Sequence, residues 1–173
     1  MHVNVSMHKG IFTFEFQSEN DEPVQRKSEM AKMSCYLRGP DDWEMSDIHP
    51  DHIALSALLI VRPWFNRSLH LSFGVSQRFA DACQEMKISV SPVDSQIVPY
   101  DSDSAEYIGL AFSGGADSTA ALSVVPPSTI PFFLDRPDSG GSLYSKQAAL
   151  RSVNKLSQLG YDCQIIECDL ESI

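Results

Sequence analysis

Apolar and polar positions alternate along several short stretches of the first hundred residues. Ile11-Phe12-Thr13-Phe14-Glu15-Phe16 partly alternates and is rich in β-formers, which predicts a strand. Ser68-Leu69-His70-Leu71-Ser72-Phe73 alternates as a half-buried strand does. Residues Met30 to Leu37 and Lys87 to Pro92 predict two more strands. Gly39-Pro40-Asp41-Asp42 breaks the first of these, and Ser18 to Pro23 reads as a polar turn. Ile53 to Val61 is almost continuously apolar, which predicts a helix buried on most sides. Pro50 suits its first position, Asp51 complements the positive end of its dipole, and Pro63 ends it. Ser76 to Met86 predicts a short helix with Phe79, Ala80 and Cys83 inward.

The pattern changes after Val98 to Ser104, a polar stretch that reads as a linker. Strands at Tyr107–Phe112, Ile130–Leu134 and Cys163–Glu167 alternate with helices at Asp117–Val125 and Leu143–Leu159. In the longer helix Ser142 suits the N-cap, and Tyr144, Ala148, Val153, Leu156 and Leu159 recur at roughly helical spacing. Gly160 stands where a left-handed closing residue belongs. Strands alternating with helices predict a parallel sheet built by right-handed crossovers. The expected organisation is a small α+β domain over residues 1–99, a linker over 100–105, and the start of a parallel α/β domain over 106–173.

Composition narrows the function. The 173 residues are 43% hydrophobic and 21% charged, with a formal net charge of −10. That balance argues against a general nucleic-acid surface, which needs clustered Lys and Arg, but leaves room for one local nucleotide site. No run approaches a membrane span, and the N-terminus lacks a secretory pattern, so a cytoplasmic location is expected. Cys35, Cys83, Cys163 and Cys168 form no C-x-x-C pair and read as free buried thiols. His49 and His52 flank Asp51 at a helix start. A metal reading lacks a third ligand nearby in sequence, and a capping and surface role is preferred.

The main chemical signal is Ser113-Gly114-Gly115-Ala116-Asp117-Ser118, between the apolar run ending at Phe112 and a helix. Gly114 and Gly115 open backbone conformations closed to other residues and leave room for a ligand. Their N–H groups can form an anion nest, with Ser113 and Ser118 as hydroxyl donors at both rims. Asp117 is the odd member, because a carboxylate repels phosphate. A Mg²⁺ ion between carboxylate and phosphate resolves the conflict. Neither G-x-x-x-x-G-K-[ST] nor G-x-G-x-x-G is present. The rival reading is a Gly-Ser turn that only caps a helix.

Ser-Gly-Gly-x-Asp-Ser between strand and helix resembles the signature of the PP-loop superfamily, the N-type ATP pyrophosphatases. The resemblance covers residues 106–173 and implies a Rossmann-like sheet of the adenine nucleotide alpha hydrolase-like type. It implies ATP and Mg²⁺, with phosphate contacts at Ser113, Gly114, Gly115 and Ser118, and Mg²⁺–pyrophosphate contact at the catalytic Asp117. The reaction implied is adenylation of a small-molecule or carrier-linked substrate with release of pyrophosphate. Ala116 departs from the Lys that many relatives carry there. In layout, a small α+β domain before the loop also resembles the ATP-dependent UDP-N-acetylmuramoyl-L-alanyl-L-glutamate epimerases and 7-cyano-7-deazaguanine synthase-like proteins. Three strands are fewer than such a domain usually has, so the chain is expected to be the front portion of a longer enzyme or a degenerate copy that binds without catalysis. A homo-oligomer is possible on this reading. At the next strand end, Asp135 and Arg136 are placed either to touch ribose, adenine or substrate, or to form an exposed ion pair at a turn. Asp169 and Glu171 are weaker candidates of the same kind.

Overall fold

The computed structural model describes residues 1–18, 30–65, 67–101, 107–137 and 145–173, without the side chain of Glu171. The chain divides into two compact units, one of Met1–Asp101 with Ser172–Ile173 and one of Ser102–Glu171. It is a mixed α/β protein, with one five-stranded and one three-stranded sheet.

The five-stranded sheet has the order β3-β2-β1-β4-β5. Strands β1 (His2–His8), β2 (Ile11–Gln17) and β3 (Ser34–Arg38) form an antiparallel meander. Strands β4 (Ser68–Val75) and β5 (Ser89–Val93) add in parallel on the other side of β1. The central strand β1 is absent from the expectations above. Its signal is the alternation of Val3, Val5 and Met7 with polar residues; Val3 and Val5 are buried and His2 and Asn4 are exposed. The turn to β2 is Lys9-Gly10, both at positive φ (48° and 71°), as a two-residue hairpin requires. Strand β3 begins at Ser34 rather than Met30, and β5 begins at Ser89 because Lys87 takes a left-handed φ of 62°. Of the polar turn expected at 18–23, residues 19–23 lie outside the described residues.

One face of this sheet carries Val3, Val5, Phe12, Phe14, Phe16, Leu69, Leu71 and Val90, all buried. Each phenylalanine contributes roughly 1.5–3 kcal/mol on burial. Helix α1 (Pro50–Val61) packs on β4 and helix α2 (Gln77–Glu85) on β5. Helix α1 is one-sided, not buried on most sides. Ile53, Ala54, Ala57, Leu58 and Val61 face inward, while Leu55 and Leu59 are 45% and 67% exposed. A continuous apolar run hides this division, because helical periodicity alone decides which residues meet the sheet. In α2 Cys83 is buried, while Phe79 and Ala80 are half-buried.

The two helices are joined by a buried polar contact. The Asp51 carboxylate accepts from Ser76 N–H at 2.8 Å and from Ser76 Oγ–H at 2.6 Å. Ser76 Oγ in turn accepts from Phe79 N–H at 3.1 Å and caps α2. His49 caps α1, with Nδ1 accepting from Asp51 N–H at 3.2 Å, and Nε2 lies 2.8 Å from the Val98 carbonyl. Both ring nitrogens of His49 are therefore engaged, and Tyr100 meets the His52 ring edge-on at 4.3 Å between centroids. None of the four cysteines is in a disulfide; Cys163 is half-buried and the others are buried. Burial pushes the thiols of Cys83 and Cys163 up, and the charges of Asp51 and Asp162 respectively add to it.

The three-stranded sheet is parallel throughout, in the order β6 (Gly109–Ala111), β7 (Ile130–Asp135), β8 (Gln164–Glu167). Helix α3 (Ala116–Leu122) joins the first two strands and α4 (Lys146–Gln158) the last two. Strand β6 is shorter than expected, and Tyr107 and Ile108 before it are 57% and 52% exposed. The core gathers Phe112, Leu122, Phe133, Ala149, Val153 and Leu156. Ala149, not Ala148, is the inward alanine. Helix α4 is capped by Ser145, whose Oγ accepts from Ala148 N–H at 3.3 Å; Ser142 and Tyr144 lie outside the described residues. At its other end Gly160 takes φ +92°, Gly160 N–H reaches the Ser157 carbonyl, and Tyr161 N–H reaches that of Leu156. This double bonding is a Schellman ending, and Tyr161 packs back onto the core.

Replacing Asp51 with Ala leaves both Ser76 donors unmatched in a buried place. Urea unfolding of the Asp51→Ala protein is expected to show a loss of about 2–3 kcal/mol, the scale of hydrogen bonds to a charged group. Stability equal to wild type would mean that this contact does not tie the two helices.

Candidate functional site

Strand β6 delivers the chain to the loop in a fixed position. Phe112 is 3% exposed, and its N–H donates to the Phe132 carbonyl at 2.8 Å, one residue past the last strand pair. Gly114 then takes φ +76°, and Gly115 forms the N-cap of α3 without a side-chain cap. A Cβ on Gly114 would lie 3.1 Å from Ala149 Cα and 3.1 Å from Ser152 Cβ. Glycine is thus required twice, for conformation and for the close approach of α4.

The hydroxyls converge on the same turn. Ser113 Oγ lies 3.3 Å from Ser118 Oγ and accepts from Gly115 N–H at 3.4 Å. Ser118 Oγ–H and Thr119 Oγ1–H donate to the Gly115 carbonyl at 3.1 and 2.8 Å. The structure therefore brings Ser113, Gly114, Gly115 and Ser118 together in one turn. Asp117 is exposed on the first turn of α3.

Beside this turn is a cleft of about 160 Å³ at the carboxyl ends of β6 and β7. Its lining includes Ala111, Ser113, Phe132, Leu134 and Arg136. Pairing puts Ala111 and Phe132 side by side on the sheet face opposite Phe112 and Phe133. The cleft thus has apolar walls and a polar mouth.

Asp135 has a partner of its own on the next helix. Its carboxylate pairs with Lys146 Nζ at 2.6 Å, and the same ammonium donates to the Arg136 carbonyl at 3.0 Å. The ion pair at this strand end is between Asp135 and Lys146, not the Asp135–Arg136 pair that one of the two readings of this turn offered. Lys146 and Ser152 are the residues that sequence reasoning missed. A signal existed for Lys146, because a cation at the first position of a helix opposes the dipole and asks for a local carboxylate. No signal pointed to Ser152, whose role is one of proximity. Asp169 follows the end of β8, and the side chain of Glu171 is outside those described.

Among the described residues no group of three or more His, Cys, Asp or Glu side chains is placed to hold a metal ion. No described helix is long and apolar enough to cross a membrane. In the first unit a cleft of about 500 Å³ is lined by His8, Lys9, Asp41, Asp42 and Glu44 among others, and its three carboxylates disfavour an anion.

Two glycine substitutions separate packing from conformation. Gly160 at φ +92° has open space around its missing Cβ, so Gly160→Ala is expected to cost about 1 kcal/mol for conformation alone. Gly114→Ala adds a steric conflict with α4 and is expected to cost more than Gly160→Ala in chemical denaturation. The reverse order would show that α4 yields easily to the loop.

No protein-family model matches the chain, and no curated protein or solved structure matches it either. The loop, its two glycines and the adjoining cleft therefore carry the functional argument by themselves.

Proposed function

We propose that the second unit binds ATP with Mg²⁺ through the Ser113–Ser118 loop and serves an adenylating, pyrophosphate-forming reaction of the PP-loop kind. The observation that carries this reading is the placement of Ser113, Gly114, Gly115 and Ser118 in one turn at the carboxyl end of a parallel strand, next to a cleft of about 160 Å³. Ligands of open α/β sheets bind at that end. Gly114 at φ +76° fits a backbone cradle for an anion, since successive N–H groups turn inward around a left-handed residue. The apolar walls formed by Ala111, Phe132 and Leu134 suit a flat base. The order β6-β7-β8 with helical crossovers agrees with one half of a Rossmann-like sheet.

Mg²⁺ fits the donor set in one way only. Asp117 is one exposed carboxylate, so the rest of the ion's shell comes from phosphate oxygens and water. When bound, the ion supplies charge neutralisation at the phosphates. The chain's own part is positional. The loop holds the anion, and the cleft walls hold the base. Positioning and charge stabilisation are most of what phosphoryl and nucleotidyl transfer require of a protein.

A second reading is nucleotide holding without turnover. Its support is that, among the described residues, the cleft lining has Ser113 and Arg136 as its polar members and includes no carboxylate or imidazole.

Thermal melting with and without Mg²⁺–ATP tests the binding step. A nucleotide present at 100 times its Kd stabilises by about 2.7 kcal/mol, so a clear upward shift in Tm is expected. Asp117→Asn is expected to lose the Mg²⁺-dependent part of that shift. A melt indifferent to Mg²⁺–ATP up to millimolar concentration ends the nucleotide reading. Pyrophosphate release from ATP in the presence of candidate acids separates the two readings, and binding without release supports the second.

A further inference from the structure

Helix α1 packs on β4 and α2 on β5, so the helix layer lies over one half of the five-stranded sheet. Toward the other half, the flank of α1 that carries His52 and Ser56 faces side chains of β2 and β3 across a cavity of about 150 Å³. The two residues are one helical turn apart and share that flank. Phe12, Phe14 and Ile53 are 8%, 1% and 4% exposed and form the floor. Leu37 and Ile48 are half-buried and form the sides. His52 is exposed and Ser56 half-buried, which puts the mouth at the helix. An apolar cavity of about 150 Å³ is the size that takes up a benzene ring. Among the described residues the lining includes no Lys, Arg, Asp or Glu, so an ionised ligand finds no counter-charge there. At the mouth Ser56 Oγ–H donates to the His52 carbonyl at 3.0 Å, so toward a ligand that hydroxyl offers its lone pairs. The mouth therefore suits a ligand that donates a hydrogen bond, and an ionised carboxylate cannot.

We propose that this cavity is a binding site for a small neutral hydroxyarene, a free phenol, with its ring against Phe12, Phe14 and Ile53 and its O–H donating to Ser56 Oγ at the mouth. The ring replaces empty space in an apolar enclosure, and the hydroxyl meets an acceptor whose own proton is already engaged. The same orientation selects a free molecule over a tyrosine of a peptide. With the hydroxyl at the mouth, the para carbon points to the floor, where Phe14 and Ile53 block a chain. The site belongs to the first unit and is independent of the nucleotide reading of the second.

The test is titration of the isotope-labelled full chain, followed by amide NMR, with phenol, toluene, benzoate and N-acetyltyrosinamide as probes. Wild type, Ser56→Ala and Ser56→Leu are compared, each with an unliganded melt. Phenol is expected to give saturable shifts at the cavity residues of wild type, with a Kd of about 1 mM or below, within the bound for so small a ligand. Benzoate and N-acetyltyrosinamide are expected to leave those residues unmoved. Ser56→Ala is expected to weaken phenol by about threefold to tenfold, the range of a neutral hydrogen bond, and to leave toluene at its wild-type affinity. Ser56→Leu fills the cavity from the helix side and is expected to weaken phenol and toluene alike, by about tenfold or more. If Ser56→Leu does not fold, the location of the wild-type shifts and the Ser56→Ala comparison carry the test. A wild-type chain with no saturable phenol shifts, or with shifts centred away from the cavity or kept in a folded Ser56→Leu protein, overturns the proposal. Equal phenol affinity in Ser56→Ala overturns the hydroxyl contact. Benzoate bound as well as phenol overturns the neutral class, and N-acetyltyrosinamide bound as well as phenol overturns the free ligand in favour of a tyrosine side chain.

Discussion

Where α4 passes the Ser113–Ser118 loop, backbone approaches backbone. A methyl group on Gly114 would stand 3.1 Å from Ala149 Cα, an atom that cannot rotate aside. Helix α4 cannot retreat either, because Ala149, Val153 and Leu156 are buried against Phe112 and Phe133. Within the loop the hydroxyl contacts are mostly long, 3.1 to 3.4 Å, and exposed. The shape of the loop is therefore set by the core behind it more than by its own hydrogen bonds. Phe112 supplies the other anchor, with its ring in the core and its N–H on the neighbouring strand. A ligand that needs those N–H groups in place meets a backbone organised before it arrives, which lowers the ordering cost of binding.

The first unit rests on a different kind of constraint. Asp51 is a charged side chain only 9% exposed, and Ser76 is fully buried. A charge so placed is tolerated because its oxygens receive hydrogen bonds from the start of the next helix. One carboxylate thus fixes where α1 begins and where α2 begins. His49 completes the arrangement from the other side by capping α1 and reaching the Val98 carbonyl. The polar residues at this helix start serve architecture. Their spacing looked like chemistry because caps and ligand sets draw on the same residue types.

What the sequence made legible follows from the range of the forces involved. Helix punctuation was legible. Pro50, Ser76 and Gly160 stand where short-range geometry requires them. The strand–helix alternation of the second unit was legible for the same reason, as was the turn that gathers Ser113, Gly114, Gly115 and Ser118. Strand β1 escaped notice because two valines and a methionine among two histidines, an asparagine and a serine make a weak pattern. Its central place depends on pairing with β4, nearly seventy residues away. The exposed side of α1 was hidden inside an unbroken apolar run. Asp135 was read with its neighbour Arg136, whereas its partner Lys146 comes from the next helix. The pairing of β1 with β4 and of Asp135 with Lys146 leaves little trace in a single sequence, whereas the exposed side of α1 follows from helical periodicity across an unbroken apolar run.

The ion pair between Asp135 and Lys146 has one more consequence. It closes a stretch of chain by joining its first and last residues, tying the end of β7 directly to the start of α4. The entropy of closing such a stretch grows only with the logarithm of its length, and doubling it costs about 0.6 kcal/mol. The crossover can lengthen or change sequence while the strand end and helix start keep their positions.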